Sequence, residues 1–192
     1  MDFPEKDRYN GEKGGEAMYY AEYNCPVGKL LLVSDGEALT GLYMNRELPE
    51  RTEELPVFFQ VRRWLDAYFR GEEREIDFPM KAEGTPFQKL IWQMLLAIPF
   101  GQTRTYGELA KEAATRMGKE KMSAQAVGGA VSRNPISIVI PCHRVIGVDG
   151  RLTGYAGGLE NKKWLLFHEG GKENADKRIS EAGHDHAESG AG

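Results

Sequence analysis

The sequence predicts an α+β fold: a small N-terminal α+β domain, then a mainly helical C-terminal domain with a winged-helix-like helix-turn-helix motif. Runs rich in β-formers and one amphipathic helical run come first, a polar stretch containing a proline follows, and further helical runs come after it. On this basis residues 17–80 form the first domain and residues 81–170 form the second.

The first domain is predicted to hold an antiparallel sheet and one helix. The runs "AMYYAEYN" and "GKLLLVSDGEALTGLYM" predict a β-meander with turns at Val27-Gly28 and Asp35-Gly36. Next, "PVFFQVRRWLDAYFRGE" has apolar residues near helical spacing and Gly71 as its stop. The polar stretch "REIDFPMKAEG" predicts a linker to the second domain.

Two helices with clear start signals are predicted at the beginning of the second domain. In "TPFQKLIWQMLLAIPFG", Thr85 is a good N-cap and Pro86 a good first helical residue. In "TYGELAKEAATRMG", Thr105 and Glu108 have the spacing of a capping box, and Gly118 ends the helix.

A third helix, in "SAQAVGGAVSR", completes a helix-turn-helix candidate, with Ser123 as its N-cap. Gly128 and Gly129 cost this helix about 1 kcal/mol each relative to alanine, so their small size must be needed. Two explanations remain open: close approach to the backbone of a partner, or tight packing against the preceding helix.

A final helix is predicted near the C-terminus, and the two ends of the chain are predicted to lack a stable fold. The run "LENKKWLLFHEG" predicts a final helix over residues 159–168, with Gly170 as its stop. Residues 171–192 are poor in apolar side chains and are expected to be disordered, and residues 1–16 are expected to be flexible.

Composition limits the class of protein. The chain is 41% hydrophobic and 28% charged, and no apolar run approaches the roughly 18 residues that span a bilayer. The polar, acidic start does not suit a signal peptide. Only two cysteines are present, so we expect a cytoplasmic protein with free thiols and no contact with a membrane.

Charge is unevenly distributed along the chain. The net charge is −4, but residues 1–80 hold 10 basic and 17 acidic residues, whereas residues 101–164 hold 10 basic and 5 acidic. A local basic face is what contact with phosphates requires, whatever the total charge. Solvated surface charge explains the same pattern, so charge alone does not decide between them.

The motif "IPCHRVIG" places a cysteine at the edge of an apolar segment. The preceding "ISIVI" (136–140) predicts a buried strand or extended segment, and Pro141 ends any regular ladder there. A free thiol is only about 3% ionised at neutral pH, so Cys142 needs a base to act as a nucleophile. His143 is adjacent, and Glu169 is a candidate to orient it. A buried structural cysteine remains the alternative.

A longer set of motifs resembles a known family. The run "NPISIVIPCHRVIG", preceded by "AVGGAV" and followed by "LTGYAGGLENKKWLLFHEG", resembles the signature of the O6-alkylguanine-DNA alkyltransferases. The resemblance extends over residues 85–170, whereas residues 1–80 are similar only in layout. It implies a monomer that binds double-stranded DNA, flips an O6-alkylguanine out and transfers the alkyl group irreversibly to Cys142, with O4-alkylthymine as a further substrate.

The resemblance assigns roles by position. It makes Cys142 the alkyl acceptor, His143 its base acting through a water, and Glu169 the carboxylate that polarises His143. We expect this pair to raise the thiolate fraction of Cys142. Asn134 would tie the recognition helix to the active-site segment, and Tyr106 would help rotate the nucleotide and protonate the leaving guanine.

A guanine pocket and a DNA-binding face are implied as well. Carbonyls of Cys142 and Val145 would accept from the guanine 2-amino group, while Tyr155 forms a wall and the Ala156 backbone approaches O6. Arg144 would support the active-site turn through internal hydrogen bonds. The substrate-binding residues are Tyr106, Gln125, Cys142, Val145, Tyr155 and Ala156, and the DNA-binding residues are Ser123, Gln125, Ala126, Gly128, Gly129 and Arg133.

The chain departs from the family pattern in three ways. Gln125 stands where an arginine commonly fills the gap left by the flipped base, and Arg133 lies eight positions further along the helix, too far to replace it. Ala156 stands where a hydroxyl residue often follows the tyrosine. The zinc ligands of some members are absent, so neither a metal nor another cofactor is expected.

Two other functions are compatible with parts of the pattern. A sensor of alkyl damage would bind DNA without transfer, but such relatives replace the acceptor cysteine, which is present here. A thiol hydrolase would also use a cysteine, a histidine and a glutamate. Turnover separates the hydrolase from the alkyltransferase, because an acyl-thiol is hydrolysed and an alkyl thioether is not.

Overall fold

A three-stranded antiparallel meander opens the fold in the computed structural model, which describes residues 17–49 and 53–181, the segment 171–181 through its backbone. Strands β1 (Tyr19–Cys25), β2 (Gly28–Ser34) and β3 (Leu39–Met44) lie in the order β1-β2-β3. Helix α1 (Pro56–Phe69) packs its apolar stripe on this sheet. The flexible segment predicted for 1–16 lies outside the described residues.

The second half contains the predicted helix-turn-helix. Helices α2 (Pro86–Leu96), α3 (Tyr106–Arg116) and α4 (Ala124–Ser132) pack on one another, and the capping boxes that start α2 and α3 are both formed. The Trp92 indole N–H donates to the Ala130 carbonyl at 2.9 Å and fixes α4 on α2. Two short parallel strands, β4 (Arg104–Thr105) and β5 (Val145–Ile146), lie beside the pair.

The outer edge of β3 joins the two halves of the molecule. Leu39 exchanges backbone hydrogen bonds with residues 79 and 81, so the predicted linker is docked on the sheet. Further along the same edge, the Leu42 N–H donates to the Pro135 carbonyl at 2.8 Å, and the Ser137 N–H donates to the Leu42 carbonyl at 3.0 Å. One hydrophobic core runs through both halves.

The segment 136–140 is buried as predicted, but it is not a regular strand. Its backbone turns tightly, with the Val139 N–H donating to the Ser137 carbonyl and the Ile140 N–H donating to the Ile136 carbonyl. Ile138 has a φ of 69°, a left-handed conformation that costs a β-branched residue about 1–3 kcal/mol. Full burial and contacts at both ends of the turn overcome the local preference for a strand.

Helix α5 (Leu159–Glu181) is longer than predicted. It continues past Gly170, and residues 171–181 are helical rather than disordered. The run "KENADKRISE" is rich in helix formers, so the glycines at 170 and 171 weaken the helix without ending it. Residues 182–192 lie outside the described residues. No helix in the described part of the chain is both long and apolar enough to cross a membrane.

Candidate active site

Cys142 begins a short 3₁₀ turn (Cys142–Arg144) directly after the buried segment. Asn134, at the end of α4, holds that segment from both sides. Its Nδ2 donates to the Ile140 carbonyl at 2.8 Å, and its Oδ1 accepts from the Ile136 N–H at 3.0 Å. Cys142 is only 7% exposed, so its thiol is recessed beneath the surface.

His143 and Glu169 form a buried pair behind the thiol. The His143 Nε2 lies 2.6 Å from the Glu169 Oε1, and His143 has no exposed surface. An ionised carboxylate only accepts hydrogen bonds, so Nε2 carries the proton and Nδ1 is left as an acceptor. Nδ1 is buried and has no hydrogen-bond partner among the described residues. It is therefore the nitrogen that can receive a proton.

Besides His143, three residues donate hydrogen bonds to the Glu169 carboxylate. Arg144 binds it through two nitrogens, with Nε 2.7 Å from Oε2 and Nη2 3.0 Å from Oε1. The Tyr68 hydroxyl donates to Oε1 at 2.7 Å, and the Gly101 N–H donates to Oε2 at 3.3 Å. Burial favours the neutral form of the Glu169 carboxyl and so raises its pKa. The contacts with His143 and Arg144 have the larger, opposite effect and hold the pKa of Glu169 well below its usual range. The internal role predicted for Arg144 is confirmed.

Burial makes the resting thiol and imidazole neutral. It raises the pKa of the Cys142 thiol, although a hydrogen bond from Asn134 and the charge of Lys162 act in the opposite direction. Burial also lowers the pKa of His143 in spite of Glu169. The expectation that His143 and Glu169 raise the resting thiolate fraction is therefore wrong.

Lys162 is a buried site residue that the motif analysis did not identify. Its side chain is fully buried, and its Nζ donates to the Val145 carbonyl at 2.6 Å and to the Thr153 carbonyl at 2.9 Å. Burial lowers its pKa to about 8. One signal was available: Lys162, Leu165 and Glu169 have the spacing of a single helical face.

Two of the predicted pocket residues, Tyr106 and Tyr155, lie near Cys142. The Tyr106 hydroxyl lies 3.5 Å from the Thr153 carbonyl, and burial raises the pKa of Tyr106, which keeps its proton at neutral pH. Tyr155 is buried, and its hydroxyl has no partner among the described residues. Ala156 lies exposed beside it. The Cys142 sulfur is close enough to affect the pKa of both phenols.

The two carbonyls predicted to contact guanine are already engaged. The Cys142 carbonyl accepts from the Val145 N–H within the 3₁₀ turn, and the Val145 carbonyl accepts from Lys162. Each oxygen keeps one lone pair for a further donor.

Helix α4 presents the predicted DNA-binding face. Gln125, Ala126, Gly129 and Arg133 are exposed, and Ser123 caps the helix by accepting from the Ala126 N–H at 3.1 Å. Packing inside the protein does not explain the two glycines of this helix. A Cβ placed at position 129 meets no atom within 4 Å, and one at position 128 reaches only an ordinary 3.8 Å contact with the Tyr106 ring. The tight-packing explanation is therefore wrong.

The basic charge of the second half is only partly on the surface. Arg144 and Lys162 point inward, and Arg104 and Arg116 both pair with Glu112. The exposed cations near the helix pair that form no ion pair with any described residue are Lys111, Lys119, Lys121 and Arg133. No cluster of three or more metal-binding side chains occurs in the described part of the chain.

The geometry combines a recessed thiol, a buried His143–Glu169 pair, two tyrosines near the thiol and an exposed small-residue helix. Residues 86–171 match the family model described as 6-O-methylguanine DNA methyltransferase, DNA binding domain. Residues 18–82 match the ribonuclease-like domain of the same enzyme.

The chain is similar to known proteins over most of its length. A Haemophilus influenzae protein named methylated-DNA–protein-cysteine methyltransferase is 45% identical, over 88% of this chain and 99% of its own. One of the same name from Methanosarcina acetivorans is 47% identical, over 80% and 99%. A solved structure of Mycobacterium tuberculosis OGT in complex with DNA is 40% identical, over 84% and 99%, with a TM-score of 0.71. The chain therefore belongs to the 6-O-methylguanine DNA methyltransferase family.

Proposed function

We propose that this protein repairs O6-alkylguanine in double-stranded DNA by transferring the alkyl group irreversibly to Cys142. The observation that carries the proposal is the recessed Cys142 thiol beside the buried His143–Glu169 pair. The relatives named as methyltransferases, and the DNA complex of a similar protein, support the same substrate. A recessed sulfur does not reach a base inside the stack, so the damaged guanine must be flipped out.

The proposed reaction is a single displacement at the alkyl carbon. As the Cys142 sulfur attacks, its proton passes towards the His143 Nδ1, the S–C bond forms and the O6–C bond breaks. The electron pair of the broken bond remains on the guanine, which takes a proton from the Tyr106 hydroxyl. The proton on His143 restores Tyr106, so the products are a thioether and an unmodified guanine. A thioether is not hydrolysed, so each molecule acts once.

The remaining site residues fall into two groups. Asn134 holds the segment that carries the thiol, and Val145, Tyr155 and Ala156 border the guanine. The face that approaches DNA is formed by Ser123, Gln125, Ala126, Gly128, Gly129 and Arg133. In this assignment residues 17–80 support the site and residues 81–170 bind DNA and react. The free thiol suits a reducing cytoplasm.

Stoichiometry tests the acceptor. With excess duplex containing O6-methylguanine, we expect each protein molecule to repair one lesion and gain one methyl group by intact mass. Cys142→Ser should abolish the gain. Cys25→Ser is the matched control and should react like the parent, because burial raises the pKa of Cys25 to about 11 and its thiol donates to the Gly28 carbonyl. More than one repair per molecule, or methylation of Cys25, would contradict the proposal.

Glu169→Gln should slow transfer to free O6-benzylguanine by about ten- to a hundredfold, because His143 loses the charge that makes it a useful base. The pKa of His143, already lowered by burial, should fall further, so the acid limb of the rate profile should move to lower pH. Glu112→Gln, which removes a carboxylate that binds two arginines at the surface, is the control. Urea unfolding checks that both variants are folded. An unchanged rate in Glu169→Gln would show that the Glu169 carboxylate has only a structural role.

Gln125→Ala should slow repair of duplex DNA much more than reaction with free O6-benzylguanine, which needs no flipping. The exposed Gln125 amide is expected to occupy the gap left by the flipped base. Gln125→Arg should match or exceed the parental duplex rate, since a planar cation stacks and attracts phosphate. Ser132→Ala, on the exposed surface of the same helix, is the control. A parental ratio of the two rates in Gln125→Ala would assign the gap to another side chain.

Gly129→Ala should stabilise the protein and impair duplex repair together. The added methyl meets no atom of the protein, so the free energy of unfolding should rise by up to about 1 kcal/mol. The same methyl faces the approaching DNA backbone, so duplex repair should slow severalfold while reaction with O6-benzylguanine stays parental. Unimpaired duplex repair would show that DNA does not come close to α4 at this position.

A further inference from the structure

The hydrogen-bonded chain behind Cys142 continues into the N-terminal half. The Tyr68 hydroxyl, from α1, donates at 2.7 Å to the same Glu169 oxygen that the His143 Nε2 contacts at 2.6 Å. Tyr68 is 2% exposed and lies 101 positions before Glu169 in the sequence. Residues of both halves therefore share one carboxylate oxygen at the centre of the site.

Aromatic packing fixes the direction of the Tyr68 hydroxyl. The Tyr68 ring stacks on Trp64 with centroids 5.5 Å apart and meets Phe100 edge-on at 5.9 Å. Its main-chain carbonyl lies 2.7 Å from the His168 Nε2, next to Glu169 on α5. Burial, reinforced by Glu169, raises the pKa of Tyr68 well above its usual value, so the hydroxyl remains a donor at every working pH.

We propose that Tyr68 is a positioning residue of the alkyl transfer: its hydroxyl holds the Glu169 carboxylate in place and limits how strongly that carboxylate favours the protonated form of His143. The proposal rests on the proposed function, in which the His143 Nδ1 takes the thiol proton. It gives the N-terminal half a direct part in the reacting site.

The charges around His143 set the sign of the effect. On α5 it faces Glu169, which favours its protonated form, and Lys162, which opposes it. Within its own turn it faces Arg144, which also opposes protonation. From α1, the Tyr68 hydroxyl reaches it by way of Glu169. Removing that hydroxyl leaves the carboxylate with one donor fewer, so its charge acts more strongly on His143.

The test replaces the hydroxyl and keeps the ring. In Tyr68→Phe, we expect NMR titration of labelled histidine, assigned with a His143→Gln variant, to show the pKa of His143 raised by roughly half a unit. Tyr23→Phe is the matched control: the Tyr23 hydroxyl also donates to a carboxylate at 2.7 Å, that of Asp66 on α1, but away from the site. It should leave the titration of His143 unchanged. Urea unfolding confirms that both variants are folded.

Reaction with O6-benzylguanine, followed from about pH 5 to about pH 8, gives a second readout. His143 accepts a proton only when neutral, so Tyr68→Phe should move the acid limb to higher pH, opposite to Glu169→Gln. Its rate relative to the parent should be about two- to threefold lower at the acid end than at the alkaline end. A parental titration of His143 in Tyr68→Phe would overturn the proposal, as would a uniform loss of rate at every pH. If the parent transfers no alkyl group, the proposed function fails, while the titration still tests Tyr68.

Discussion

The buried carboxylate of Glu169 is the contact on which the site depends. It binds His143 and Arg144 from the turn that carries Cys142, Gly101 from the loop after α2, and Tyr68 from α1. Five donor contacts compensate for its removal from water, and losing a partner of such a buried pair commonly costs about 3–5 kcal/mol. The same contacts fix the tautomer of His143 and so decide which nitrogen is free to take a proton.

A reaction that occurs once per molecule places unusual demands on its nucleophile. An exposed, ionised thiol would react with many electrophiles before meeting a damaged base. Here burial keeps Cys142 protonated, and the base beside it is neutral. In the proposed mechanism the thiol becomes a nucleophile only while its proton is being removed, so the burial that suppresses its ionisation at rest also protects it.

Local signals explain how much the sequence could predict. Capping residues marked the starts of α2, α3 and α4, and the Cys142 motif singled out the cysteine that lies next to the buried His143–Glu169 pair. The contact of Tyr68 with Glu169 could not be predicted from the sequence, because it joins distant segments whose only local signal is apolar periodicity. The turn at Ile138 could not be predicted for a related reason. A β-branched run favours a strand, and the turn is stabilised by contacts with the edge of β3 and with Asn134.

The docking of residues 135–137 on β3 also bears on the order in which the molecule is assembled. β3 is synthesised long before the segment that carries Cys142, and domains tend to fold from the N-terminus as they emerge from the ribosome. The turn at the left-handed Ile138 is held by Asn134 and by this edge of β3, which is already present when the turn emerges. Glu169, which contacts His143, is synthesised later still, so the segment that carries Cys142 is fixed in place before its buried pair is complete.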